Sequence, residues 1–140
     1  MMLLSTRLGL FLVLFLALFS AHGASVPKLN ITWNCGSCTH NEKIIPLIKQ
    51  AYNNEAQNSG RSVSAKEIAQ VEIIEFRQRN PGVRVMFGVM AGKDRLGLRI
   101  SYKGNEYYTS DYSANVVQGM NHLCSAVASE TYQKLDSAAQ

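Results

Sequence analysis

Asp94-Arg-Leu-Gly-Leu-Arg-Ile-Ser-Tyr-Lys-Gly-Asn-Glu-Tyr-Tyr-Thr-Ser110 decides the fold. Leu96, Leu98, Ile100 and Tyr102 alternate with Arg95, Gly97, Arg99, Ser101 and Lys103, the period of two expected of a strand with one apolar and one basic face. Lys103-Gly104-Asn105 turns this strand into a second one over residues 106–110, so the segment predicts a β-hairpin. Tyr102, Tyr107, Tyr108 and Tyr112 gather around it, and alternation sends Tyr107 and Tyr108 to opposite faces, one toward the core and one toward solvent.

Upstream, Asn80-Pro81 is a helix start, a capping residue followed by proline at the first helical position. Val83, Met86, Phe87 and Met90 fit one face of that short helix, and Gly92 stops it. Residues 64–77 carry two conflicting signals. Ser64-Ala-Lys-Glu67 has capping-box spacing, whereas Val71 to Phe76 is dense in β-branched residues. We expect a helical turn near 64–69 and a strand over 70–77. Further back, Ile44, Ile45, Ile48, Ala51, Tyr52 and Ala56 recur at helical spacing, with Pro46 near the start. Leu29, Ile31 and Trp33 alternate with Asn30, Thr32 and Asn34 as another strand. Downstream, Val116, Val117, Met120, Leu123, Cys124, Val127 and Tyr132 mark a long amphipathic helix from about 113 to 135, with a tail frayed from about 136. The order β-α-β-α-β-β-α implies an α+β fold, a mixed four-stranded sheet with the two longer helices on one face and the other face open or used.

The N-terminal segment defines the compartment. Arg7 is the single charge before an apolar run from Leu8 to Phe19, and Ala21-His22-Gly23 places small residues where signal peptidase cleaves. Residues 1–23 are therefore expected to be a removed signal, leaving 24–140 as one domain with no transmembrane anchor, periplasmic or secreted. The whole chain of 140 residues carries 14 Lys and Arg against 10 Asp and Glu. This mild balance gives no argument for nucleic acid. Asn30-Ile31-Thr32 is a glycosylation acceptor if the source is eukaryotic.

Export favours oxidised sulfur. Cys35-Gly-Ser-Cys38 lies between a strand and a helix, and Cys124 falls on the apolar side of the last helix. A structural disulfide is expected, with Cys35 or Cys38 joined to Cys124, since closing a loop of nearly ninety residues contributes roughly 3–5 kcal/mol in the chain-entropy model. The alternatives are a thiol-disulfide oxidoreductase, with Cys35 as nucleophile and Cys38 as resolving thiol, or a soft-metal site from Cys35, Cys38 and His40. The motif resembles those of thioredoxin-like enzymes and copper-chaperone domains over about fifteen residues. It departs from both: Asn34 separates Trp33 from Cys35, and Trp33 stands where the metal chaperones have methionine.

Between Arg77 and Lys103 the basic residues Arg77, Arg79, Arg84, Lys93, Arg95, Arg99 and Lys103 meet one acid, Asp94. Arg95, Arg99 and Lys103 fall on one strand face, a candidate surface for an anionic envelope component or an acidic protein patch. No serine lies in a nucleophile elbow and no carboxylate pair is isolated in apolar surroundings, so catalysis other than thiol chemistry is not expected. No cofactor is implied. Gly88-Val-Met-Ala-Gly92-Lys93-Asp94 is one residue short of a phosphate loop and ends on aspartate instead of Ser or Thr.

Val85-Met-Phe-Gly-Val-Met-Ala-Gly92, leading into the hairpin and the last helix, resembles the Gly-x-x-Ala-Gly turn of small periplasmic α+β domains of bacterial envelope proteins. These include lipoprotein-like families related to curli-secretion lipoproteins. The chain departs from them in lacking a lipobox cysteine and in carrying the Cys35–Cys38 motif. The resemblance implies a non-enzymatic envelope role with a partner-binding sheet face.

Overall fold

The structure, a computed structural model, describes residues 24–115 and 119–140. The expected signal over 1–23 lies outside the described residues, as do Val116 and Val117. Strands β1 (Ser25–Trp33), β2 (Ser62–Arg77), β3 (Asp94–Tyr102) and β4 (Asn105–Ser113) form one sheet in the order β1-β2-β3-β4. β1 and β2 are parallel, and the other two pairings are antiparallel. A parallel pair needs a crossover, supplied here by helix α1 (Ile44–Asn58). The last helix, Met120–Ala139, lies beside α1, and both pack on the same side of the sheet. The architecture is the α+β arrangement expected.

Period-two burial places Leu29, Ile31, Val71, Ile73, Leu96, Leu98 and Ile100 under the helices. From above they meet Ile44, Ile48 and Tyr52 of α1 and Leu123, Val127 and Leu135 of the last helix. Three hydroxyls are satisfied inside this layer. The Tyr52 hydroxyl donates to the Pro27 carbonyl at 2.8 Å, and the Thr109 and Thr131 hydroxyls bond each other at 3.1 Å. Tyr52 and Tyr132 meet edge to face and lock α1 against the last helix.

Three elements differ from expectation. Residues 64–69 belong to β2 and form no helical turn. The Ser64 capping bonds are nevertheless made: its Oγ accepts from the N–H groups of Lys66 and Glu67 at 3.1 and 3.0 Å. In the pairing, Val26 faces Val63 and Lys28 faces Ile68, so residues 64–67 stand opposite Pro27 alone. Proline has no N–H to offer a ladder, and the sheet bulges past it with Ser64 holding the detour. Among the described residues the last helix covers Met120–Ala139, so it runs past 135, and residue 113, its expected start, is the last residue of β4.

The third difference is the short helix α2 (Pro81–Phe87), which is followed by a 3₁₀ turn over Gly88–Ala91; the last helix is accordingly α3. Asn80 caps α2 as predicted, its side chain accepting from Gly82 N–H at 2.8 Å. Val83, Met86, Phe87 and Met90, the apolar face that the spacing predicts, are all exposed, and Arg84 is the buried residue. The backbone of α2 and the 3₁₀ turn packs on itself and against no described strand or long helix, so together they form an arm that projects from the sheet and reaches it through the side chain of Arg84. Arg79 and Asp94, 4% and 0% exposed, clamp its base. Arg79 donates to both carboxylate oxygens of Asp94 and to the carbonyls of Gly88, Gly92, Ser113, Ala114 and Asn115. Arg84 approaches the same carboxylate at 4.0 Å.

Candidate functional site: the open sheet face and the cysteine loop

Strand alternation that buries Leu96, Leu98 and Ile100 turns Arg95, Gly97 and Arg99 to the other side of the sheet, where no described helix lies. Register sets their neighbours. Arg99 stands between Glu72 on β2 and Tyr108 on β4, and Arg95 stands between Arg77 and Tyr112. Arg99 is ion-paired with Glu72, its Nε donating to the carboxylate at 2.7 Å, and that bond together with the carboxylate charge raises its pKa further. Arg95 donates to Glu75 at 3.2 Å. Asn30 donates to Gln70 at 2.7 Å and Asn34 to Glu72 at 3.2 Å, extending the lattice to β1. The basic face is thus a mixed-charge face. Acids on β2 are invisible to a pattern read along β3 alone.

Lys103 does not join Arg95 and Arg99. It has φ +50 and forms, with Gly104 at φ +77, the two-residue turn between Tyr102 and Asn105. Both signs match the mirror-image turns that suit the strand twist, and the turn breaks the alternation that placed Lys103. Its ammonium lies 5.1 Å from the Tyr102 ring centre, while the Tyr102 hydroxyl donates to Glu67 at 2.8 Å. Burial, then that hydrogen bond, raises the Tyr102 pKa.

Tyr108 and Tyr112 are both exposed on the open face, and Lys93 caps the Tyr112 ring at 4.0 Å. Between the two arginines Gly97 lets the Glu75 side chain lie close over β3, where an added Cβ would come 3.1 Å from that of Glu75. Beside it, Glu75, Lys93, Arg95, Ser110, Asp111 and Tyr112 line a cleft of about 210 Å³. Such a surface presents guanidinium donors, a carboxylate pair and two aromatic rings.

The sulfurs are arranged otherwise than expected. Cys35 is joined to Cys38, and Cys124 is a free, buried thiol. Cys124 points into the core from the second turn of α3, among Leu123, Val127 and Ala128, while the other two lie at the core's margin. Closing a loop this short contributes about 2 kcal/mol in the chain-entropy model, well below the value for a bridge to α3. α1 begins only at Ile44, so its positive end does not reach the pair as a thiolate-stabilising helix start would. His40 packs against Trp33 with ring centres 4.7 Å apart, and no group of three or more metal-binding side chains occurs among the described residues. The loop forms one wall of a groove of about 830 Å³, opposite Phe76–Pro81. No local pattern announces this groove, because its walls are distant in the chain.

Burial pushes the Cys124 thiol up to about 11 from an ordinary 9.0. The unfolded chain therefore loses this proton first. The contribution is fully present below pH 9 and is lost as pH rises toward 11, so stability should fall over that interval. Thiol labelling of the reduced protein at neutral pH should modify Cys35 and Cys38 and spare Cys124. Prompt labelling of Cys124 in the folded chain would contradict its burial.

Fold and site define a class: an α+β domain with one sheet face beneath two helices and a charged, tyrosine-bearing face uncovered by any described element. No family model matches the chain, and no curated protein matches it in sequence. Among solved structures, it is similar to the dodecamer of a single-substitution variant of PelC from Paraburkholderia phytofirmans. The TM-score is 0.57 at 13% identity, covering 81% of this chain and 89% of that one. That likeness shows a shared fold. Among the described residues, no helix is long and apolar enough to cross a membrane.

Proposed function

We propose that this chain is an exported, non-enzymatic accessory protein of the bacterial envelope, periplasmic or secreted, that binds an anionic partner on its open sheet face. The observation that carries this reading is the uncovered face with its ordered arginines and exposed Tyr108 and Tyr112. Glu72 and Glu75 do not consume Arg99 and Arg95. A guanidinium has five N–H donors, and each carboxylate fixes one edge of the fork while leaving donors for a second anion. At the end nearest the arm, Arg77, Lys93 and Arg95 outnumber Glu75 and Asp111, and Lys103 adds a cation at the hairpin tip. The disulfide serves in this reading as a local staple of the loop.

The PelC chain of similar fold is a dodecamer. An assembly of several copies of this chain would repeat the open face and raise affinity for a repetitive ligand by multivalency.

The test is capture of an anionic component from an envelope extract. Arg95→Glu/Arg99→Glu, with Lys103→Glu added in a second variant, should weaken capture by roughly tenfold or more, and added salt should do the same to the parent protein. Both substitutions lie on the surface, so an unchanged melting curve checks the fold. Undiminished capture by the charge-reversed protein would remove the open face as the binding surface.

A further inference from the structure

We propose that the arm formed by α2 and the 3₁₀ turn seats the protein on an anionic lipid bilayer, its apolar side chains entering the interface and the basic residues at its base meeting lipid phosphates. This does not depend on the open face as the partner surface. Five large apolar side chains on this short segment face solvent. Met90 is 88% exposed, Met86 77% and Val85 75%, with Phe87 and Val83 also open. Soluble domains scatter such residues singly, and a concentration on one protruding element marks an interaction site.

Three features favour lipid over a protein surface. Residues 80–92 contain no acid, whereas Arg77 and Lys93, both exposed, flank the arm where it meets the sheet. That charge pattern complements phosphate headgroups, and long basic side chains can lie along the interface with their charges in water. Val83, Met86 and Phe87 share one side of α2 and Val85 points the opposite way, while Met90 projects from the 3₁₀ turn beyond Gly88. A rigid partner covers one side of a protruding helix; a fluid acyl layer covers both. The two methionines are flexible and polarisable, suited to a disordered medium. The arm is held for this purpose: Arg79 grips the carbonyls of Gly88 and Gly92, and Arg84 is turned inward toward Asp94. The mode is interfacial and shallow, as for amphipathic segments lying in the headgroup region.

The experiment is cosedimentation of residues 24–140, which hold every described strand and helix, with vesicles of phosphatidylglycerol and phosphatidylcholine. Vesicles of phosphatidylcholine alone serve as the comparison. The protein should bind the anionic vesicles, bind the neutral ones much less, and be released by salt. Met86→Ser/Phe87→Ser should weaken binding by about tenfold or more. Phe87→Trp supplies an independent readout: its emission should shift to the blue on vesicle addition and be quenched by brominated acyl chains. No binding to anionic vesicles, equal binding by the serine variant, or an unchanged emission from the Phe87→Trp protein would each overturn the proposal. A serine variant that dissociates an oligomer while vesicle binding is nil would assign the arm to a second copy of the chain instead.

Discussion

Asp94→Ala is expected to lower stability by about 3–5 kcal/mol, enough to leave a domain of this size marginal or unfolded. Asp94 is fully buried and is the counterion of two buried arginines, Arg79 and Arg84. Removing its carboxylate strands positive charge in a space that water does not reach, and the loss is far larger than the net value of the intact pair. Its backbone role adds to the effect, since the Arg79 N–H also bonds the Asp94 carboxylate at 2.7 Å. Urea denaturation followed by far-ultraviolet circular dichroism measures the change. A loss below about 1 kcal/mol would mean that the cluster is solvated and holds neither the arm nor the 113–115 segment.

Leu98→Ala should cost about 2–5 kcal/mol by the same measurement. Leu98 lies in the middle of the third strand, opposite Ile73 on one side and Thr109 on the other, with no exposed surface. The sheet and α3 cannot close over the missing carbons without breaking ladder bonds, so the site collapses poorly. Cost at the upper end would indicate a rigid sheet–helix contact. A change under about 1 kcal/mol would contradict close packing of α3 on the sheet.

Leu98 was legible in the sequence, and Asp94 was not. The alternation from Leu96 to Tyr102 fixes which residues share a face, and an unbroken apolar row on one side settles which face is buried. In α2 the same logic identifies a shared face for Val83, Met86, Phe87 and Met90, but two turns are too few to carry their own context. Tertiary contacts decide the orientation, and Arg84 is turned inward because Asp94 waits there. Arg79 and Asp94, fifteen residues apart, read locally as members of a basic surface run. Charges on neighbouring strands are equally silent: Arg99 shows in the pattern of β3, and its partner Glu72 shows only in the register with β2. At Ser64 the local signal was correct as chemistry and wrong as structure, since the same two hydrogen bonds serve a helix start or a bulge. The cysteine pairing failed for a related reason. An entropy estimate ranks loops by length, but Cys124 faces the interior and its sulfur is fenced by aliphatic neighbours.

That fencing answers the problem set by an odd number of cysteines. A spare sulfur in an oxidising medium ordinarily trades partners with an existing bridge or couples two copies into a covalent dimer. Both routes need an ionised, accessible attacker, and Cys124 is neither. The interior therefore acts as a chemical quarantine, which would keep the third sulfur from scrambling the first two wherever the surroundings are oxidising.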